Sequence, residues 1–324
     1  MLIVNFLILI VGFAALIKGA DLFVDGSAGL AKNFHVPELI IGLTIVALGT
    51  SAPELAVSTS AAMQGSNEIA LSNVIGSNIF NLLVVLGGCA VFHPVPVDRG
   101  VLKRDFPVSI VSTLLVLLMV GAGALSVLPS ANAEAVVGMA GRLLGIVLLA
   151  GFAVYIVYLI LDAKKHPQDA DEAIELRPVS KCLLLIVVGI ALIVGGGQAV
   201  VYSAKEIARA AGMTETLIGL TIVAVGTSLP ELVTSIVAAK KGETELAVGN
   251  AVGSCIFNMM FILGISTTLH PIAVNFASVC DLIILIAVSV LTLVFALSGK
   301  KINRPEGAVM ILVYVADVVY AALR

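Results

Sequence analysis

Hydrophobic and polar positions in this chain alternate neither as in a half-buried strand nor as in a one-faced surface helix. They separate into long apolar blocks with short polar breaks. A bilayer core about 30 Å thick needs about 20 apolar residues per helical crossing, with a range of about 17–25. Ten such blocks stand at roughly 2–20, 38–63, 69–91, 106–123, 142–162, 180–201, 215–239, 245–268, 280–298 and 306–323. They predict an all-α polytopic membrane protein with ten transmembrane helices. Composition agrees, with 60% hydrophobic and 12% charged residues, against about 25% charged in a soluble domain.

The first block has no Lys or Arg before Lys18. A secretory signal peptide would open on a basic segment, so the block is read as a retained first helix. Cys89, Cys182, Cys255 and Cys280 are scattered without a CxxC pair and read as small apolar residues, not as a disulfide or zinc framework. The longest polar break, 163–179, is acidic but lacks the glycine and ligand spacing of a calcium loop. It is expected to be a cytoplasmic linker. Across ten spans, 14 of the 18 Lys and Arg residues fall on one face. By the positive-inside rule that face is cytoplasmic and both termini lie outside, in what would be a bacterial or archaeal inner membrane.

A stretch near the middle of the second block recurs in the seventh. Residues 49–54 read Gly-Thr-Ser-Ala-Pro-Glu and residues 226–231 read Gly-Thr-Ser-Leu-Pro-Glu, an offset of 177. One ungapped offset aligns 35–97 with 212–274, through Gly76-Ser77-Asn78-Ile79-Phe80-Asn81 and Gly253-Ser254-Cys255-Ile256-Phe257-Asn258. Each half holds five spans, 1–162 and 180–324. An odd number makes the second half enter from the opposite face, so the halves form an inverted repeat. That is an architecture of secondary transporters, whose sites lie at midplane where helices are interrupted.

Each motif sets a carboxylate, Glu54 or Glu231, at the depth of the bilayer core, where an ionisable group is costly and marks a functional site. Pro53 has no N–H for the carbonyl four residues back and bends the residue before it away from helix. Helix 2, and by repetition helix 7, should break, leaving carbonyls around Ala47–Thr50 without intrahelical partners. Thr50 and Glu54 are four apart, with Ser51 adjacent. The next span adds Ser77 and Asn81 on one helical face. The second half repeats the set as Ala224, Thr227, Ser228, Glu231, Ser254 and Asn258. Together they make an all-oxygen cage with two carboxylates. Such a cage suits Ca2+, which takes 6–8 oxygens, and hard alkali cations. Two ionised glutamates are balanced by one Ca2+ or by two Na+, and this competition is what an antiporter needs. Asn73 and Asn250, also repeated, are read as interhelical hydrogen-bonding residues.

The paired Gly-Thr-Ser-x-Pro-Glu motifs, each followed by Gly-Ser-x-Ile-Phe-Asn, resemble the alpha repeats of the cation/calcium exchanger superfamily. Within it the chain is similar to prokaryotic sodium/calcium exchangers. The resemblance covers the whole chain in topology and the two blocks in detail. It implies a ten-helix fold with ions held by helices 2, 3, 7 and 8, and Ca2+ export driven by Na+ through alternating access. The ligands it implies are Thr50, Ser51, Glu54, Ser77 and Asn81 with Thr227, Ser228, Glu231, Ser254 and Asn258. Asn at positions 81 and 258, where some relatives carry an acidic residue, implies independence from K+. Related calcium/proton exchangers place a Gly-Asn-x-x-Glu motif here, so Ca2+/H+ antiport is the alternative. HExxH and Gly-x-Ser-x-Gly are absent, which argues against an intramembrane protease. The partners expected are Ca2+, Na+ and the lipid bilayer, with no cofactor, nucleic acid or obligate protein partner.

Overall fold

The computed structural model describes residues 2–121, 134–165, 177–212 and 224–323. Eleven helices carry the fold among them. They are α1 (Leu2–Phe34), α2 (Glu38–Thr50), α3 (Ala52–Met63), α4 (Ile69–Phe92), α5 (Phe106–Val120), α6 (Arg142–Lys165), α7 (Val179–Ala210), α8 (Leu229–Lys240), α9 (Thr244–Leu269), α10 (Phe276–Leu297) and α11 (Arg304–Leu323). Helices α2 and α3 are one span bent by 52°. With that pair counted once, the helices occupy all ten stretches marked by hydropathy. The linker acids Asp169, Asp171, Glu172 and Glu175, and Ile218-Gly219-Leu220-Thr221 of the seventh block, lie outside the described residues.

The first helix is much longer than its apolar block. It runs past residue 20 to Phe34, and α7 likewise reaches Ala210. The sequence places the end at Asp21 because charge is costly in lipid. In the fold that charge is matched. Lys241 Nζ lies 2.5 Å from Asp21 Oδ1 and 2.7 Å from Asp25 Oδ1, and Lys18 and Arg177 add ion pairs to Asp21 and Asp25. At 1.5 Å per residue, 33 and 32 residues give helices of about 50 Å, well beyond the hydrocarbon core.

These two long helices pack antiparallel along a seven-residue glycine ladder. A Cβ on Gly12 would meet Gly196 O at 3.1 Å, one on Gly19 would meet Gly189 O at 2.8 Å, and one on Gly26 would meet Cys182 O at 2.8 Å. In lipid there is no hydrophobic drive to join helices, so small residues that let backbones touch supply the association. Gly12 and Gly189, and Gly19 and Gly196, are related by the same offset of 177. The duplication therefore reaches beyond the motif block.

The connections obey the same symmetry. Gly65 (φ 73°) and Gly242 (φ 85°), again 177 apart, end α3 and α8 in a left-handed turn that only glycine adopts without strain. Beyond His93 and His270, where α4 and α9 stop in extended backbone, short strands cross between halves. Strand β1 (Val95–Pro96) follows α4 and pairs with β4 (Lys301–Ile302) before α11. Strand β3 (Ile272–Asn275) follows α9 and pairs with β2 (Val136–Ala140) before α6. Each half is thus tied to its inverted partner at both ends of the bundle. At the centre α4 and α9 are almost wholly buried, whereas α1, α6, α7, α10 and α11 show much of their surface.

The ladder makes a direct prediction. Gly189→Ala puts a methyl against Phe23 N and Gly19 O, both within 3 Å, and overpacking of this kind costs about 1–3 kcal/mol. Gly195→Ala on the same helix meets nothing within 4 Å. Thermal unfolding of the purified protein should shift down for Gly189→Ala and stay or rise slightly for Gly195→Ala.

Candidate functional site

The break in the second span is local and sharp. Ser51 sits at φ −83°, ψ 10°, between helical Thr50 and the new helix that starts at Ala52 with proline in its first turn. Ser228 repeats it at φ −92°, ψ 7°, between Ala224–Gly226 and α8. Both halves therefore carry the interrupted helix the sequence predicts. One detail differs. The Ala47 carbonyl is not orphaned, because Ser51 N–H donates to it at 3.0 Å and the Thr50 hydroxyl lies 3.3 Å away. The helix holds its last bond until Ser51, and the missing donor of Pro53 falls on Gly49.

The restart at Ala52 sets Glu54 in the first turn of α3, and Glu231 takes the same place in α8. Both side chains are fully buried. Each is held by the opposite half. Ser228 Oγ donates to Glu54 Oε1 at 3.0 Å, and Ser51 Oγ donates to Glu231 Oε1 at 2.8 Å. Ser77 Oγ lies 3.5 Å from Glu54 Oε1 and 3.1 Å from Ser228 Oγ. The sequence does not announce this exchange, since each serine is three residues from its own half's glutamate.

Two asparagines fix the carboxylate-bearing helices. Asn73 Nδ2 donates to Ser58 Oγ at 2.8 Å and to Glu54 O at 3.4 Å. Asn250 Nδ2 does the same with Ser235 Oγ at 2.8 Å and Glu231 O at 3.3 Å. Their oxygens then face the other half. Thr50 Oγ1 lies 3.0 Å from Asn250 Oδ1, and Thr227 Oγ1 lies 3.5 Å from Asn73 Oδ1. Asn73 and Asn250 thus make the interhelical bonds read for them. Near the pseudo-two-fold axis, Asn78 Nδ2 donates to Cys255 O at 3.1 Å and Cys255 Sγ approaches Asn78 O at 3.7 Å.

Asn81 and Asn258 mark a feature that hydropathy does not reveal. Both α4 and α9 widen into a π-helical segment, Asn81–Leu86 and Phe257–Ile262, and α2 does so at Gly42–Val46. Such bulges gather at functional sites. Their only trace in the sequence is the repeated asparagine.

Several polar atoms in this region have no hydrogen-bond partner among the described residues. They are Glu54 Oε2, Glu231 Oε2, Asn81 Oδ1 and Nδ2, Asn258 Oδ1 and Ser254 Oγ. Leaving a buried polar group unpaired costs about 1–3 kcal/mol, more for a charged one. Concentrating them among the predicted ligands is what a cation-binding cage needs. Thr50, Ser51, Ser77, Asn81, Ser228, Ser254 and Asn258 are buried with the two glutamates, and Thr227 is partly buried. The backbone of Ala224 opens the short helix before Thr227. No cluster of three His, Cys, Asp or Glu residues occurs among the described residues, so the cage relies on neutral oxygens beside two carboxylates.

Comparison with known proteins agrees with this geometry. Residues 4–161 and 181–323 match the family described as sodium/calcium exchanger protein. The sodium/calcium exchanger MaX1 of Methanosarcina acetivorans is 35% identical over 353 residues, covering 98% of this chain and 99% of that one. The protein CaxA of Alkalimonas amylolytica, named as an antiporter, is 37% identical over 325 residues, with 97% of each chain covered. The sodium-calcium exchanger NCX_Mj, solved after soaking with Na+ and Sr2+, superposes with a TM-score of 0.81 at 29% identity, over 98% of this chain and 99% of that one. The chain is an integral membrane protein with the ten-helix inverted-repeat fold, and it belongs to the sodium/calcium exchanger family.

Proposed function

We propose that this protein is a secondary active antiporter that exchanges Na+ for Ca2+ by alternating access, exports Ca2+ and works without K+. The observation that carries the reading is the pair of buried glutamates, each with one oxygen held by the opposite half's serine and the other without a partner among the described residues. MaX1 and NCX_Mj, which carry the name of this exchange, lend it support. The proposed ligands are Thr50, Ser51, Glu54, Ser77, Asn81, Thr227, Ser228, Glu231, Ser254 and Asn258, with carbonyls of the two breaks, Ala47 and Ala224 among them.

The chemistry follows from charge. Two ionised carboxylates in a low-dielectric core are strongly disfavoured unless compensated. One Ca2+ balances them, and so do two Na+, with further Na+ needing more neutral oxygens. Ca2+ takes oxygens at about 2.3–2.6 Å in flexible geometry, which suits a cage assembled from four helices. Ser51 and Ser228 contribute a simple adjustment. A hydroxyl that donates to a carboxylate keeps lone pairs and can turn one toward a cation. A site bearing two bare charges resists reorientation, so ions move outward only in exchange for ions moving inward. The balance of Lys and Arg sets both termini on the outer side.

Two measurements test this. Glu54→Gln and Glu231→Gln, reconstituted separately into liposomes, are each expected to lose Na+-driven Ca2+ uptake while still inserting as folded protein; retained exchange in either variant overturns the site. For the wild type, uptake of radiolabelled Ca2+ should follow an outward Na+ gradient and persist when K+ is replaced by a large organic cation. Uptake that follows a pH gradient and ignores Na+ would instead establish Ca2+/H+ antiport.

A further inference from the structure

A groove of about 640 Å3 runs between α5 and α6 on the outside of the bundle. Its charge is confined to one end. Lys103, Arg104 and the phenol of Tyr158 stand there, and the walls beyond, through Val111 and Leu115, are mostly apolar with Gly151 in the lining; the one hydroxyl on that stretch, Ser112, donates to Ser109 O at 2.9 Å. From Lys103, in the π-helical segment Val101–Asp105 that leads into α5, to Leu115 the chain rises about 15–18 Å, about half of a hydrocarbon core about 30 Å thick. The groove is therefore about one leaflet deep, with its charge at the surface end. A second cleft, of about 400 Å3 between α1 and α7, is lined only by aliphatic residues and glycine and has no such end.

The charges at the polar end are unequally engaged. Arg104 is committed to protein. Its Nε lies 2.6 Å from Asp105 Oδ1 and its Nη1 lies 2.6 Å from Asp162 Oδ2, while Tyr155 donates to Asp105 at 3.0 Å. Lys103 is exposed and has no carboxylate partner among the described residues. Arg99 lies just before this end of α5, and Lys164 and Lys165 close α6, so the sequence at this end carries five basic residues against Asp98, Asp105 and Asp162. Val111 and Tyr158 are exposed toward the surrounding medium.

We propose that this groove is a binding site for one anionic phospholipid of the adjacent leaflet, with the phosphate at Lys103 and one acyl chain between α5 and α6. A positive pocket between helices at the membrane surface is the chemistry that selects an anionic headgroup. The apolar trough fixes one chain. The Arg104–Asp105–Asp162 cluster closes the buried corner behind it without spending the free lysine. Met260, which lines the floor, belongs to the same π-helical segment as Asn258, so the lipid packs directly against an ion-site helix.

The test is native mass spectrometry of the full chain released from membranes containing both phosphatidylglycerol and phosphatidylethanolamine. The wild type should retain one phosphatidylglycerol in preference to phosphatidylethanolamine. Lys103→Gln should lower that preference about fivefold, the effect of one lysine near an anionic surface, and Lys103→Arg should keep it. Val111→Trp, at an exposed position on the wall, should reduce retention of both lipids by filling the trough. Retention by the wild type in proportion to membrane abundance, or a preference unchanged in Lys103→Gln, overturns the proposal.

Discussion

A carboxylate in the middle of a membrane has to be neutralised, and in a transporter the neutralising partner has to be able to leave. A fixed Lys or Arg would satisfy the first requirement and defeat the second. Among the described residues Glu54 and Glu231 meet neither cation; their neighbours are hydroxyls and asparagine-braced backbone. Those groups soften the burial of charge without cancelling it, since a hydrogen bond to a charged group contributes only about 1.5–3 kcal/mol. What remains uncompensated is what the proposed exchange would use to attract cations. The broken helices, the π-segments and the buried α4 and α9 all serve to hold two carboxylates in that unfinished state.

Reciprocity does much of this work. Because each glutamate accepts from the other half's serine, neither half can complete its own site. The duplicated sequence gives one composite cage in place of two separate ones. The same crossing appears at larger scale, where β1 pairs with β4 and β2 with β3, and where Gly12 meets Gly196 while Gly19 meets Gly189. An inverted repeat supplies every such contact twice, once from each membrane face. The proposed alternating access would need this near-equivalence, because the two faces must then offer the same ions comparable exits.

Much of this architecture could be read in advance, for identifiable physical reasons. Apolar block length reflects bilayer thickness directly, so all ten spans were visible. Pro53 and Pro230 announce a break that backbone chemistry enforces wherever they sit. Other features were hidden because they depend on partners far away in the chain. Asp21 looks like the end of a helix until Lys241, 220 residues on, is found beside it. The Ala47 carbonyl looks free until the Ser51 N–H is seen to reach it. The π-segments depend on tertiary packing and leave only the repeated asparagine as a trace. Which serine serves which glutamate is a property of the assembled interface, and spacing within one motif points to the wrong partner.

The central claim is that two motifs make one site, and equilibrium binding tests it most directly. Calorimetric titration of the purified wild type with Ca2+ in the absence of Na+ should give one high-affinity ion per chain, displaced by added Na+. Glu54→Gln and Glu231→Gln should each lose that ion entirely, since each half completes the other's cage. Two independent Ca2+ ions per chain, with one surviving in each single variant, would contradict the shared site.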